Sequence, residues 1–142
     1  MSVYLPAKRP LSVTLILWGV FLFGVWNVSK AVLLIQSRSL FLAHGVQPDS
    51  LWQAGGAMIW AGLFWAAAWA LWRKRPSTQF LIPLLLLLYG LYTIAIRLIF
   101  SPLPFAANGG LTIIVFFAVV IIFTFLALQR ADKRYYFVER RE

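Results

Sequence analysis

Four stretches of this chain, residues 11–35, 51–72, 79–100 and 111–128, stay apolar for as long as a bilayer is thick. A hydrocarbon core of roughly 30 Å is crossed by about 20 residues of helix. Inside it a backbone N–H or C=O meets no water, so a spanning segment must close its own hydrogen bonds as a helix or join a sealed barrel. Four segments are too few to seal one. The sequence therefore predicts an all-α, polytopic membrane protein with a single four-helix transmembrane domain and a basic tail at 129–142. On the same argument even the β-branched run at 113–122 is expected to be helical. Composition agrees: 62% of residues are hydrophobic and 12% charged, against roughly 45–50% and ~25% in soluble domains.

The boundaries carry stop and start signals. Pro10 precedes the first span, Asp49 and Ser50 precede the second, and Pro102, Pro104, Asn108, Gly109 and Gly110 separate the third from the fourth. Ser50-Leu51-Trp52-Gln53 fits a capping box, with Ser50 as the cap. The first helix, if it continued to Leu42, would be about 48 Å long at ~1.5 Å per residue and would project beyond the bilayer. It is too long for the apolar segment of a signal peptide, and no small-residue cleavage site follows it, so an uncleaved span is expected.

Basic residues set the orientation. Of thirteen Lys and Arg, ten fall in the N-terminal tail (Lys8, Arg9), the second connection (Arg73, Lys74, Arg75) and the C-terminal tail (Arg130, Lys133, Arg134, Arg140, Arg141). Lys30, Arg38 and Arg97 fall on the other side. Short basic loops stay in the cytoplasm, which predicts both termini there and the chain in the cell inner (cytoplasmic) membrane. Arg73, Lys74, Arg75, Arg130, Lys133 and Arg134, with Tyr135, Tyr136 and Phe137 among the tail residues, are candidate contacts for anionic phospholipid, each cation near the surface contributing ~1 kcal/mol. Lys30 and Arg97 lie close enough to the outer ends of their spans to reach headgroups there. No nucleic-acid partner is expected of a basic segment tethered at a membrane.

Within the spans, Asn27 is the deepest polar group of the first and the candidate for an interhelical hydrogen bond. Gly62, Ala66 and Ala70 recur every four residues in the second and form a candidate packing face. Trp52 and Trp72 mark the ends of that helix, as interfacial anchors do. Trp18, Trp60 and Trp65 sit deeper, where an indole N–H needs a partner that lipid tails do not supply. They are the candidate contacts for a bound lipid, quinone or carotenoid-like pigment, beside the alternative of ordinary helix packing.

The chain has no Cys and a single His, His44. That removes thiolate chemistry and iron–sulfur ligation and leaves too few ligands for a metal or haem centre. Its four acidic residues, Asp49, Asp132, Glu139 and Glu142, all lie outside the spans, so no intramembrane proton or cation relay is written here. No intrinsic cofactor and no catalytic activity are expected. Two readings remain: a non-catalytic accessory subunit packed against other membrane subunits, or an independent four-helix protein that binds or carries an apolar molecule.

The opening Arg9-Pro10-Leu11-Ser12-Val13-Thr14-Leu15, with Trp18-Gly19-Val20 and Trp26-Asn27, resembles uncharacterised small four-helix membrane proteins of bacteria. The likeness covers mainly the first span and implies no activity. Proteins of this build occur as accessory subunits of photosynthetic and respiratory electron-transfer complexes, among them alternative complex III. The analogy is one of architecture and implies that redox groups, where present, belong to partners.

Overall fold

A computed structural model describes residues 9–45, 49–100 and 109–135, with side chains through Ala131. Lys8, Pro102, Pro104, Asn108, Tyr136, Phe137, Glu139, Arg140, Arg141 and Glu142, and the side chains of Asp132, Lys133, Arg134 and Tyr135, lie outside what it describes. The described residues form five helices: α1 (Leu11–Gln36), α2 (Arg38–Ala43), α3 (Ser50–Trp72), α4 (Thr78–Phe100) and α5 (Gly110–Tyr135). The four long ones are each long and apolar enough to cross a membrane, with mean hydropathy between 1.4 and 3.1 over their best windows. The chain is a multi-pass, all-helical membrane protein. The β-branched run of the fourth span is helix throughout, and residues 129–135, expected as part of a tail, continue α5.

Local chemistry explains where the helices stop. Ser37 interrupts the long first helix that the sequence suggested, leaving α2 as a separate short segment. The N-cap of α3 is Asp49 rather than Ser50: its carboxylate accepts from Leu51 N–H at 3.2 Å, and Ser50 is already helical and buried. A charged acceptor suits the positive end of a helix, and Arg38 reaches the same carboxylate at 3.8 Å. At the other end, Lys74 N–H bonds Leu71 C=O and Arg75 N–H bonds Ala70 C=O, with Lys74 at φ 55°. This is a Schellman turn with lysine where glycine is usual. Pro83 stands five residues beyond Thr78, past the first turn of α4, so its missing N–H interrupts the helical ladder there.

The helices meet along seams of alternating three- and four-residue spacing. On α1 the buried positions include Val13, Leu17, Val20, Gly24, Asn27 and Ala31; on α3 they include Ala54, Ala57, Ala61, Phe64, Ala68 and Leu71. On α5, Gly110, Phe117, Thr124 and Ala131 recur every seven residues. Such spacing is that of left-handed, interdigitating helix packing, and small residues on α3 let the backbone of α1 approach. The α1–α3 and α4–α5 pairs are the most extensive. Gly62, Ala66 and Ala70, expected as a packing face, are not the face that α3 buries within the chain. Gly62 and Ala66 are exposed, Ala70 is half-buried, and a Cβ on Gly62 would meet nothing within 4 Å. The seam lies one residue away, on Ala61 and its three–four partners.

Candidate functional site

Aromatic side chains gather in two places, and each has its own architecture. The first is at mid-bundle, where Tyr89 of α4 is met by rings from all three other spans. Phe23 of α1 lies at 6.0 Å, Trp60 and Phe64 of α3 at 5.1 and 5.2 Å, and Phe117 of α5 at 5.8 Å between ring centroids. All four pairs are edge-to-face, the geometry that the ring quadrupole favours, at about 0.5–1.5 kcal/mol per pair. Tyr92 completes the cluster beside Trp60 at 5.6 Å, its hydroxyl lying 2.7 Å from where a Cβ on Gly56 would stand. Phe117 similarly packs over Gly90, 3.1 Å from the Cβ position.

The polar groups of this core are satisfied within the bundle, chiefly by backbone carbonyls. Tyr89 Oη donates to Asn27 Oδ1 at 3.1 Å, joining α4 to α1, and Asn27 Nδ2 donates to Phe23 C=O at 2.8 Å. Thr93 and Thr124 each bond the carbonyl four residues earlier, at 2.9 and 2.7 Å. Among the described residues no buried side-chain polar atom lacks a partner. Trp60, one of three deep tryptophans singled out by sequence, belongs here as a half-buried packing residue.

The other two, Trp18 and Trp65, lie elsewhere. They line an open groove of about 600 Å³ between the start of α1 and the end of α3, together with Phe21, Trp69 and Trp72. Trp65 lies nearly parallel to Phe21 at 6.3 Å, its indole occupying the space beside Gly24 that a larger residue would fill. Two arginines stand at the rim. The Arg9 guanidinium lies 4.4 Å from the Trp72 ring centroid and donates to the Trp72 carbonyl at 3.3 Å; Arg73 lies 5.0 Å from the centroid of Trp69. No acidic side chain lines the groove among the described residues.

The remaining candidates are spread over both ends. Lys30 is half-buried and borders a smaller hollow of about 340 Å³ with Trp26, Ser29 and Leu33. Arg97, half-buried on α4, is near enough for the two positive charges to repel. Arg73, Arg75 and Arg130 are exposed and Lys74 is half-buried. His44 is exposed and bonds only locally, to the Leu40 carbonyl at 2.8 Å.

Sequence reasoning placed Arg9 among the charges without linking it to a site, and did not single out Trp69. The Trp69–Arg73 contact was legible as a four-residue helical spacing. The Arg9–Trp72 contact joins residues 63 apart in the chain and had no local signal. Comparison with known proteins returns no match among family models, curated proteins or solved structures.

Proposed function

We propose that this chain is a non-catalytic accessory subunit of a larger assembly in the cytoplasmic membrane, with both termini in the cytoplasm. The observation that carries this reading is the contrast between inside and outside. The interior is filled by interlocking rings, with its buried polar side chains bonded inside the bundle, whereas α3 turns Gly62, Ala66, Ile59 and Trp52 outward. A core closed on itself is a scaffold, and small residues on an outward helix face admit a second backbone. By analogy of build alone, we place the assembly among bioenergetic electron-transfer complexes, with redox groups supplied by partners.

Gentle detergent extraction followed by native mass spectrometry tests this. The expected result is a complex far heavier than 16.2 kDa, and Gly62→Leu with Ala66→Leu should release the chain from it. A clean monomer carrying a stoichiometric apolar molecule would overturn the subunit reading in favour of an independent lipid, quinone or pigment binder, which the α1–α3 groove favours. Unchanged co-purification of the double variant would show that the face meets lipid alone. A reporter fused to the C-terminus checks orientation: activity on the outer side of the membrane would overturn it.

A further inference from the structure

We infer that the hollow beside Lys30 is a binding site for the phosphate head of one anionic phospholipid, drawn from the leaflet in which α1 ends. The hollow has a volume of about 340 Å³, with Trp26, Lys30, Leu33, Ser37 and Phe41 among its walls. That lies within the roughly 300–1,000 Å³ of small-molecule sites. Charge, unused donors and depth select the occupant.

On the half of the molecule where α1 and α4 end and α3 begins, the chain carries Lys30, Arg38 and Arg97 against a single acid, Asp49. Asp132 stands at the opposite end of α5, and Glu139 and Glu142 follow it in sequence. Asp49 is committed: its carboxylate accepts from Leu51 N–H at 3.2 Å and faces Arg38 at 3.8 Å. Among the described residues Lys30 makes no hydrogen bond or ion pair, and the charge of Arg97 stands close to it. A half-buried ammonium so placed is answered by an anion from outside the chain. A choline head, itself positive, is repelled there.

A second donor shares the hollow. Ser37, at the break between α1 and α2, makes no capping bond with its side chain, and among the described residues its hydroxyl bonds nothing else. Ser29 differs, since its hydroxyl already donates to the Val25 carbonyl at 3.0 Å. Lys30 and Ser37 are two turns apart on one face, about 10 Å along the axis. A Lys side chain extended toward the interface and one phosphate group together bridge that distance, with ammonium and hydroxyl both donating to phosphate oxygens.

Depth separates a lipid from a free ion. From Leu11 to Lys30 is nineteen helical rises of ~1.5 Å, or about 28 Å, nearly the whole of a roughly 30 Å hydrocarbon core. Trp26 lies one turn deeper, and the exposed Leu22 carries the same apolar face on toward the midplane. A head held at Lys30 and Ser37 therefore has a wall for its acyl chain directly beneath it. Inorganic phosphate makes no use of that wall.

The proposal stands apart from the subunit reading, because its test uses the purified full-length chain without partners. Native mass spectrometry of the delipidated protein, titrated in detergent with phosphatidylglycerol or phosphatidylcholine, should show one phosphatidylglycerol bound more tightly than any phosphatidylcholine. Lys30→Leu should weaken that adduct about fivefold, taking ~1 kcal/mol for one cation near anionic lipid and 1.4 kcal/mol per decade, while helicity by circular dichroism stays constant. Lys30→Arg should retain the lipid, and Ser37→Ala should weaken it by less than Lys30→Leu does. Phosphatidylglycerol with a diazirine in its acyl chain should label residues 26–41, and Lys30→Leu should lose that label. Equal binding of the two lipids, or an unchanged adduct in Lys30→Leu, would overturn the site. A loss as large in Lys30→Arg would overturn it too, by showing that Lys30 acts through packing and not charge. So would displacement of the lipid by inorganic phosphate, since the head alone would then account for binding.

Discussion

The cluster around Tyr89 and the groove behind Arg9 both draw aromatic side chains from α1 and α3, yet one is closed and the other open. What differs is the cover from α4 and α5. At mid-bundle, α4 and α5 bring Tyr89 and Phe117 over Phe23 and Phe64, and every ring finds another ring. Where α1 begins, Trp18 is 59% exposed, Trp69 62% and Trp72 62%. In water such a surface would drive association. In a bilayer an aromatic face becomes packing core or binding wall according to what covers it, and residue type alone does not decide which.

Truncation on the two sides should separate these roles by the widest margin. Phe64 is fully buried and touches three other rings of the cluster. Phe64→Ala is expected to destabilise the bundle by on the order of 3 kcal/mol, the low end for large-to-small core changes, since lipid chains are as apolar as the core and the loss is mainly of packing. Trp69→Ala should change stability by less than ~0.5 kcal/mol, as exposed substitutions do. Reversible unfolding in mixed micelles measures both. Equal effects would mean that the groove wall is as structural as the core and would erase the distinction.

The turn that links the two regions offers a gain rather than a loss. Lys74 joins the end of α3, which walls the groove, to the start of α4, which closes the cluster, and it does so at φ 55°. A side chain in the left-handed region costs roughly 1–2 kcal/mol that glycine does not incur. Lys74→Gly should therefore raise the unfolding free energy by about that amount, read from reversible unfolding in mixed micelles. A fall in stability would show that the Lys74 side chain contributes more than its backbone costs.

How far the sequence reached depended on the range of the interaction. The spans were legible because the bilayer thickness and the unsatisfied backbone dictate them residue by residue. Asn27 was legible as a hydrogen-bonding group because a polar amide at that depth requires a partner, but Tyr89 as that partner was not, being 62 residues away. The seam on α3 within the bundle was not legible, because Gly62, Ala66 and Ala70 offer an unbroken four-residue repeat, while the buried face alternates three and four and mixes Ala54, Ala57 and Ala61 with Phe64. A repeat of four drifts around a helix of 3.6 residues per turn, and the three–four alternation follows the axis more closely. Trp18, Trp60 and Trp65 were grouped by depth alone, whereas Trp18 and Trp65 line the groove and Trp60 packs in the cluster. Only the placement of α4 over Trp60, and its absence over the groove, divides them.

The smallest expected effect asks what holds the closed cluster together. Tyr89 contributes a ring to four edge-to-face contacts with the three other spans and one hydroxyl to Asn27 Oδ1. Tyr89→Phe keeps the ring and removes the interhelical hydrogen bond, leaving Asn27 Nδ2 on the Phe23 carbonyl. Hydrogen bonds between spanning helices average ~0.6 kcal/mol, with a maximum near 1.7, so the unfolding midpoint should fall only slightly. Asn27→Leu removes the same bond and buries a branched side chain in the α1 seam, where repacking adds its own cost. If Tyr89→Phe costs nearly as much as Phe64→Ala, the bond and not the rings is the keystone of the cluster. If the cost is small, as expected, aromatic packing closes the bundle, and the groove stays open because no fourth-helix ring covers it.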